Sequence, residues 1–137
     1  GRRAHEEKVQ AALRGAGVEW VCLAGYMRLL SGPMLSRYPG RIMNIHPALL
    51  PAFPGLHAQK QALDYGVKVS GCTVHFVDEG IDSGPVLLQK AVPVIERDDE
   101  ESLSARILEQ EHELYPEAVR LFCEGRIKID GRRVSIV

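Results

Sequence analysis

The run Val18-Glu19-Trp20-Val21-Cys22-Leu23-Ala24 sits between Gly17 and Gly25 and decides the fold class. It is too short for a core helix and suits a strand buried on both faces of a sheet. On its N-terminal side, residues 3–14 carry Ala4, Val9, Ala12 and Leu13 along one stripe, an amphipathic helix closed by Gly15-Ala16-Gly17. On its C-terminal side, Pro33–Arg37 predicts a short helix, because proline is well tolerated at a first helical position. Arg41–Ile45 then reads as a second strand, ending before Pro47, which cannot donate to a ladder. Helix–strand–helix–strand alternation predicts an α/β fold with a parallel sheet covered by helices.

Further along, Leu49–Leu56 holds Pro51, Pro54 and Gly55 and reads as a stiff loop. His57–Tyr65 resumes helical spacing and stops at Gly66. Val69–Val77 and Val86–Val94 are β-rich, and the eight residues between them, Asp78–Pro85, are too many for a tight hairpin. Asp98-Asp99 offers an N-cap for a long helix from Glu100. Pro116 is expected to kink or restart that helix, which ends near Gly125. Arg126–Ile129 and Arg132–Ile136 flank Asp130-Gly131 as a hairpin. The later strands need not be parallel, so the expectation is a mixed, mostly parallel sheet flanked by helices, in one domain spanning 1–137.

Composition narrows the function classes. The 137 residues are 45% hydrophobic and 26% charged, with a formal net charge of -1, which gives no footprint for nucleic acid or an anionic membrane. No apolar run approaches the ~20 residues that cross a bilayer. Gly1–Glu7 lacks the apolar core of a secretion signal. Cys22, Cys72 and Cys123 are odd in number and form no Cys-x-x-Cys pair. They are expected to be small buried hydrophobes of a reducing, cytoplasmic compartment.

The chemistry begins at Asn44-Ile45-His46-Pro47. Residues two apart on a strand share a face, about 6.6 Å apart along the chain, so Asn44 and His46 converge while Ile45 enters the core. Pro47 holds His46 extended. The pair lies at the carboxyl end of a sheet strand, where open α/β sheets place ligands. An amide donor beside an imidazole can stabilise a developing oxyanion and handle a proton. Spacing alone equally admits a histidine satisfied by a turn and an asparagine capping a strand end. Asp82 lies in a loop of glycines and acids backed by Gly84-Pro85, where an aspartate commonly serves only as a turn former; folded over the strand end, it would hold and charge His46.

Rival chemistries fare worse. His5, His46, His57, His75 and His112 form no His-x-x-x-His or Glu-x-x-His cluster, so no metal is expected. No Gly-x-Ser-x-Gly elbow is present for a serine nucleophile. His75 alternates with Val74 and Phe76 and reads first as a structural sheet histidine, with lining of the site as the other reading. Arg28 emerges at a strand's carboxyl end, where an arginine is by default solvated but can pair a ligand carboxylate. No Gly-rich phosphate turn is found, since Gly15-Ala16-Gly17 leads into a strand.

Leu23-Ala24-Gly25-Tyr26-Met27-Arg28, Asn44-Ile45-His46-Pro47-Ala48-Leu49-Leu50-Pro51 and Pro54-Gly55-Leu56-His57 resemble the folate-dependent phosphoribosylglycinamide formyltransferases. Val74-His75-Phe76-Val77, Asp82-Ser83-Gly84-Pro85 and Gln110-Glu111-His112-Glu113-Leu114-Tyr115-Pro116 continue the likeness along essentially the whole chain. The resemblance implies a Rossmann-like formyltransferase fold and formyl transfer from 10-formyltetrahydrofolate to glycinamide ribonucleotide, in purine synthesis. It implies catalytic roles for Asn44, His46 and Asp82. Met27, Arg28, Leu29 and Leu30, with Asn44, match the folate pocket wall. Asp78, Glu79, Gly80 and Ile81 match the strip that cradles the pteridine. Glu111 matches a contact to the nucleotide substrate, and Arg2 an arginine near the folate tail.

The same resemblance implies that the family's first βα units, roughly the first third of the usual domain, are not in this chain, which leaves a sheet edge and admits a homodimer. Two alternatives stay open: a formyltetrahydrofolate deformylase using the same three residues, and a folate-binding remnant without turnover. The expected partners are small molecules, with neither nucleic acid nor membrane.

Overall fold

The computed structural model describes residues 1–26 and 29–137. The expected opening alternation is present: helix α1 (Arg2–Gly15), strand β1 (Val21–Ala24), helix α2 (Gly32–Arg37) and strand β2 (Ile42–His46). Helix α3 (Ala58–Tyr65), strands β3 (Val69–Phe76) and β4 (Val86–Pro93), helix α4 (Glu100–Cys123) and strands β5 (Ile127–Asp130) and β6 (Arg133–Ile136) follow. Pro33 stands in the first turn of α2, where its missing N–H costs nothing. Asp99 caps α4 in a reciprocal capping box with Ser102.

Among the described residues, β1 to β4 form one sheet in sequential order, and β5 and β6 form a separate antiparallel pair. The sheet is mixed, as expected, but it is not mostly parallel over this chain. Only β1 and β2 run parallel; β2–β3 and β3–β4 are antiparallel. The parallel pair is the one joined by a helical crossover, α2, and antiparallel β4 returns directly from β3 through the Asp78–Pro85 loop.

Three further expectations are corrected. Strand β1 begins at Val21 rather than Val18 and alternates between half-buried and exposed positions, because it is the edge strand of the described sheet. Cys22 and Cys123 are exposed and only Cys72 is buried, since β1 turns Cys22 outward and Cys123 is the last residue of α4. Burial pushes the Cys72 thiol up to about 11. Pro116 does not restart α4, which runs unbroken across it. The neighbouring turns are held from outside: Ala118 and Leu121 are buried, and the Tyr115 hydroxyl donates to the Leu23 carbonyl at 2.6 Å. That packing outweighs one lost helical bond.

The last turn is also shifted by one residue. Asp130 pairs with Arg133, so Gly131 and Arg132 form the two-residue loop, with positive φ at Gly131 alone. That is the type II′ pattern rather than the type I′ expected of Asp-Gly.

The two faces of the sheet do different work. Met43, Ile45, Val74 and Phe76 pack with Leu87 and Ala118 beneath α4. On the other face Ile42 packs with Leu30, Met34 and Tyr38 and with Val9 and Leu13 of α1. Asn44 and His46, in phase with Ile42, lie on this second face beyond its apolar cluster.

The Asp78–Pro85 loop closes against the end of β3 at Gly84, where an added Cβ would lie 1.7 Å from the Phe76 carbonyl oxygen. That obstacle is backbone and cannot rotate away. Gly84→Ala is therefore expected to cost about 2–3 kcal/mol of stability, as overpacking against a fixed partner does. Urea unfolding would measure it, and a variant as stable as the parent would contradict the close approach.

Candidate active site

Strand β2 delivers Asn44 and His46 to one face, and antiparallel pairing sets His75 of β3 directly opposite Asn44 and Thr73 opposite His46. Buried Thr73 holds the chain as it leaves β2. Its hydroxyl donates to the Ala48 carbonyl at 2.7 Å and accepts from the Leu50 amide at 3.1 Å. The chain after it, through the cis Leu50–Pro51 peptide, folds back over the strand end.

His46 is 5% exposed, with an oxygen near each ring nitrogen. Nε2 lies 2.8 Å from the Phe53 carbonyl oxygen, an acceptor only, so this nitrogen carries a proton. Nδ1 lies 3.5 Å from Asp82 Oδ2, and the same carboxylate oxygen accepts from the Gly55 amide at 2.8 Å. Asp82 is thus held by the loop that also binds His46, and it adopts a left-handed backbone conformation (φ 49°). Phe53 (φ 51°) and His57 (φ 55°) share that conformation. Backbone strain of this kind concentrates where surrounding structure fixes a functional geometry.

His75 belongs to the same cluster. Its Nδ1 lies 3.0 Å from the Phe76 carbonyl oxygen and so donates, leaving Nε2 as an acceptor. Asn44 Nδ2 lies 3.3 Å from that Nε2 and donates to it. This orients the Asn44 amide and leaves its second N–H for another acceptor. Sequence reasoning favoured a structural role for His75, yet its spacing from Thr73 repeats that of His46 from Asn44, a signal that pairs the two strands once their register is known.

Burial pushes the His75 imidazole below its ordinary value, with the Phe76 carbonyl and the Asp82 charge pulling the other way. The unfolded chain then takes up the proton first as pH falls, so His75 erodes stability below about pH 6.5 and not above it. His75→Gln keeps an acceptor for Asn44 and removes this titration. The stability of the parent relative to His75→Gln is therefore expected to fall between about pH 7.5 and about pH 5.5. Urea unfolding at both ends would test this, and a constant difference would contradict it.

These four side chains line one end of a cavity of about 760 Å³. Leu23, Leu30, Ile45 and Val77 give it an apolar wall, and Asp78, Gly80 and Ile81 form another edge. Glu111 lines it from α4, where burial pushes its carboxyl up against the opposing charge of His112. Leu29 also lines it. Met27 and Arg28 lie outside the described residues. Glu79 is exposed beside Gly32 and is not part of the lining. Arg2 is also apart from it, in the first turn of α1, 3.9 Å from Glu6. Glu6 is buried and accepts from the amide and hydroxyl of Ser31, tying α1 to the start of α2. Among the described residues, no group of three or more histidine, cysteine or acidic side chains could hold a metal ion, and no helix is long and apolar enough to cross a membrane.

Comparison with known proteins gives this geometry a context. The chain is 50% identical over 136 residues to the trifunctional purine biosynthetic protein adenosine-3 of Drosophila pseudoobscura pseudoobscura, covering 99% of itself and 10% of that protein. It superposes on glycinamide ribonucleotide transformylase 1 from Symbiobacterium toebii with a TM-score of 0.98 and 61% identity, covering 100% of itself and 65% of that chain. A formyltetrahydrofolate deformylase from Pseudomonas syringae pv. tomato superposes with a TM-score of 0.90 at 29% identity, over 95% of this chain and 44% of its own. The chain therefore spans less than two-thirds of each of these relatives. The sequence model described as Formyl transferase matches residues 1–119, and with that match the chain belongs to the formyl transferase family.

Proposed function

We propose that the protein transfers a formyl group from 10-formyltetrahydrofolate to the amine of glycinamide ribonucleotide, a step of cytoplasmic one-carbon metabolism and purine synthesis. The observation that carries this is the gathering of Asn44, His46, His75 and Asp82 at one end of a cavity with an apolar wall. The cavity is of a size that encloses a small organic ligand. Its wall of Leu23, Leu30 and Val77 suits a flat ring system, and Asp78, Gly80 and Ile81 lie along its edge.

The roles follow from the proton positions. The free N–H of Asn44 donates to the carbonyl oxygen as the amine attacks and negative charge gathers there. His46, already donating at Nε2 to Phe53, has only Nδ1 with which to take the proton of the attacking amine. The charge it gains lies 3.5 Å from the Asp82 carboxylate, which steadies it until the proton passes to the leaving nitrogen. Glu111 serves the nucleotide end of the cavity, and Leu29 and Leu30, just before α2, the folate end. Residues 1–137 work as one part of a formyltransferase domain.

The 61% identity to a glycinamide ribonucleotide transformylase, against 29% to a deformylase, favours an amine over water as acceptor. Incubation with 10-formyltetrahydrofolate should give product that depends on glycinamide ribonucleotide. Equal formate release without the nucleotide would point to the deformylase reaction. Binding of a folate analogue with no turnover would leave a remnant.

A further inference from the structure

We infer that Gln61 of α3 is a positioning residue for the reaction proposed above, holding the 53–57 loop so that its backbone fixes the ring tautomer of His46 and the orientation of Asp82. The inference rests on that functional reading only for its effect on rate; the geometry stands apart from it. The Gln61 side-chain amide donates to two carbonyls, those of Pro54 at 3.0 Å and Leu56 at 2.8 Å. Both hydrogens of one NH₂ group are thereby spent on the residues either side of Gly55. Gly55 is the residue whose amide donates to Asp82, and Phe53, just before Pro54, supplies the carbonyl that accepts from His46. Gln61 touches neither catalytic side chain, yet it grips the segment that touches both.

The segment needs such a grip. Phe53 and His57 both hold the left-handed conformation that side chains rarely adopt, so its shape is not the one its residues prefer. It is a loop without strand partners of its own. Gln61 in contrast is fixed: it lies in the first turn of α3, its amide bonded to the His57 carbonyl at 2.9 Å, between the buried Ala58 and Ala62. A rigid helix thus sets the position of a strained loop through a side chain that can donate twice and has no charge.

Two variants isolate this property. Gln61→Glu preserves shape but presents carboxylate oxygens, which accept only, to two carbonyls. Gln61→Met preserves length without a donor or a charge. In protein labelled with ¹⁵N-histidine, the neutral His46 ring of the parent is expected to show Nε2 protonated and Nδ1 bare. In both variants the two His46 ring resonances should move toward one another as the tautomers mix. Turnover in the transfer assay should fall roughly ten- to a hundred-fold, the scale of a small misplacement, with KM for both substrates little changed. Unmoved His46 resonances in either folded variant would overturn the assignment, even with lowered activity, because lost packing would then explain the loss. A parent His46 that lacks the Nε2-protonated signature would overturn it too. If the parent transfers no formyl group, the functional reading fails, while the histidine resonances still decide the role of Gln61.

Discussion

Asn44→Ala is expected to lower turnover of formyl transfer by roughly a hundred- to a thousand-fold, the usual consequence of deleting one donor to a developing oxyanion. The expectation rests on the way the amide is held. One N–H goes to His75 Nε2, the ring's other nitrogen donating to the Phe76 carbonyl, and the second N–H has no partner among the described residues. A donor fixed in advance costs no reorganisation when charge appears. Asn44 is only half-buried and its partner His75 keeps its second contact, so the folded state should survive the change. Steady-state kinetics with an unfolding curve for the same variant would test this. Turnover within a few-fold of the parent would remove Asn44 from the mechanism. Asn44→Asp should be nearly as poor as alanine, because a carboxylate cannot donate to either the oxygen or His75.

Much of this site was legible in the sequence, and the reason is geometric. A strand has a period of two, so Asn44-Ile45-His46 declares that the two polar side chains share a face, and Pro47 marks where the strand must end. Asp82 was legible as a loop acid too polar for the core. The contact between them was not, because nothing in the spacing says how Asp78–Pro85 folds over β2. His75 shows where period-two reasoning stops: the alternation Thr73-Val74-His75-Phe76 reads the same whether a face meets packed side chains or a cavity. Only the antiparallel register that sets His75 against Asn44 separates the two. The grip on His46 and Asp82 was least legible, since it comes from the Phe53 carbonyl and the Gly55 amide, groups every residue carries. The misread elements have a similar cause. Pro116 breaks a helix by local rule, but packing of Ala118 and Leu121 lies outside any local rule, and the exposure of Cys22 depends on which strands flank β1.

His46→Ala should be the more damaging of the two catalytic changes, lowering turnover by roughly a thousand-fold or more, within the range general acid–base groups contribute. The reason lies in how few substitutes the site offers. His75 cannot take over, because burial keeps it neutral and its basic nitrogen is occupied by Asn44. Asp82 cannot reach further while the Gly55 amide holds one of its oxygens. Stability should also fall, by about 1–3 kcal/mol, because the Phe53 carbonyl and the Asp82 carboxylate lose a buried partner. Asp82→Asn distinguishes the charge of this residue from its shape. The amide can still accept from Gly55, so the loop should remain closed, but it can no longer steady a proton on Nδ1. Turnover should therefore drop, though less than in His46→Ala, which removes the base itself. Turnover of Asp82→Asn equal to the parent's would mean that Asp82 holds His46 in place without sharing its charge, and would confine its part in the reaction to orientation.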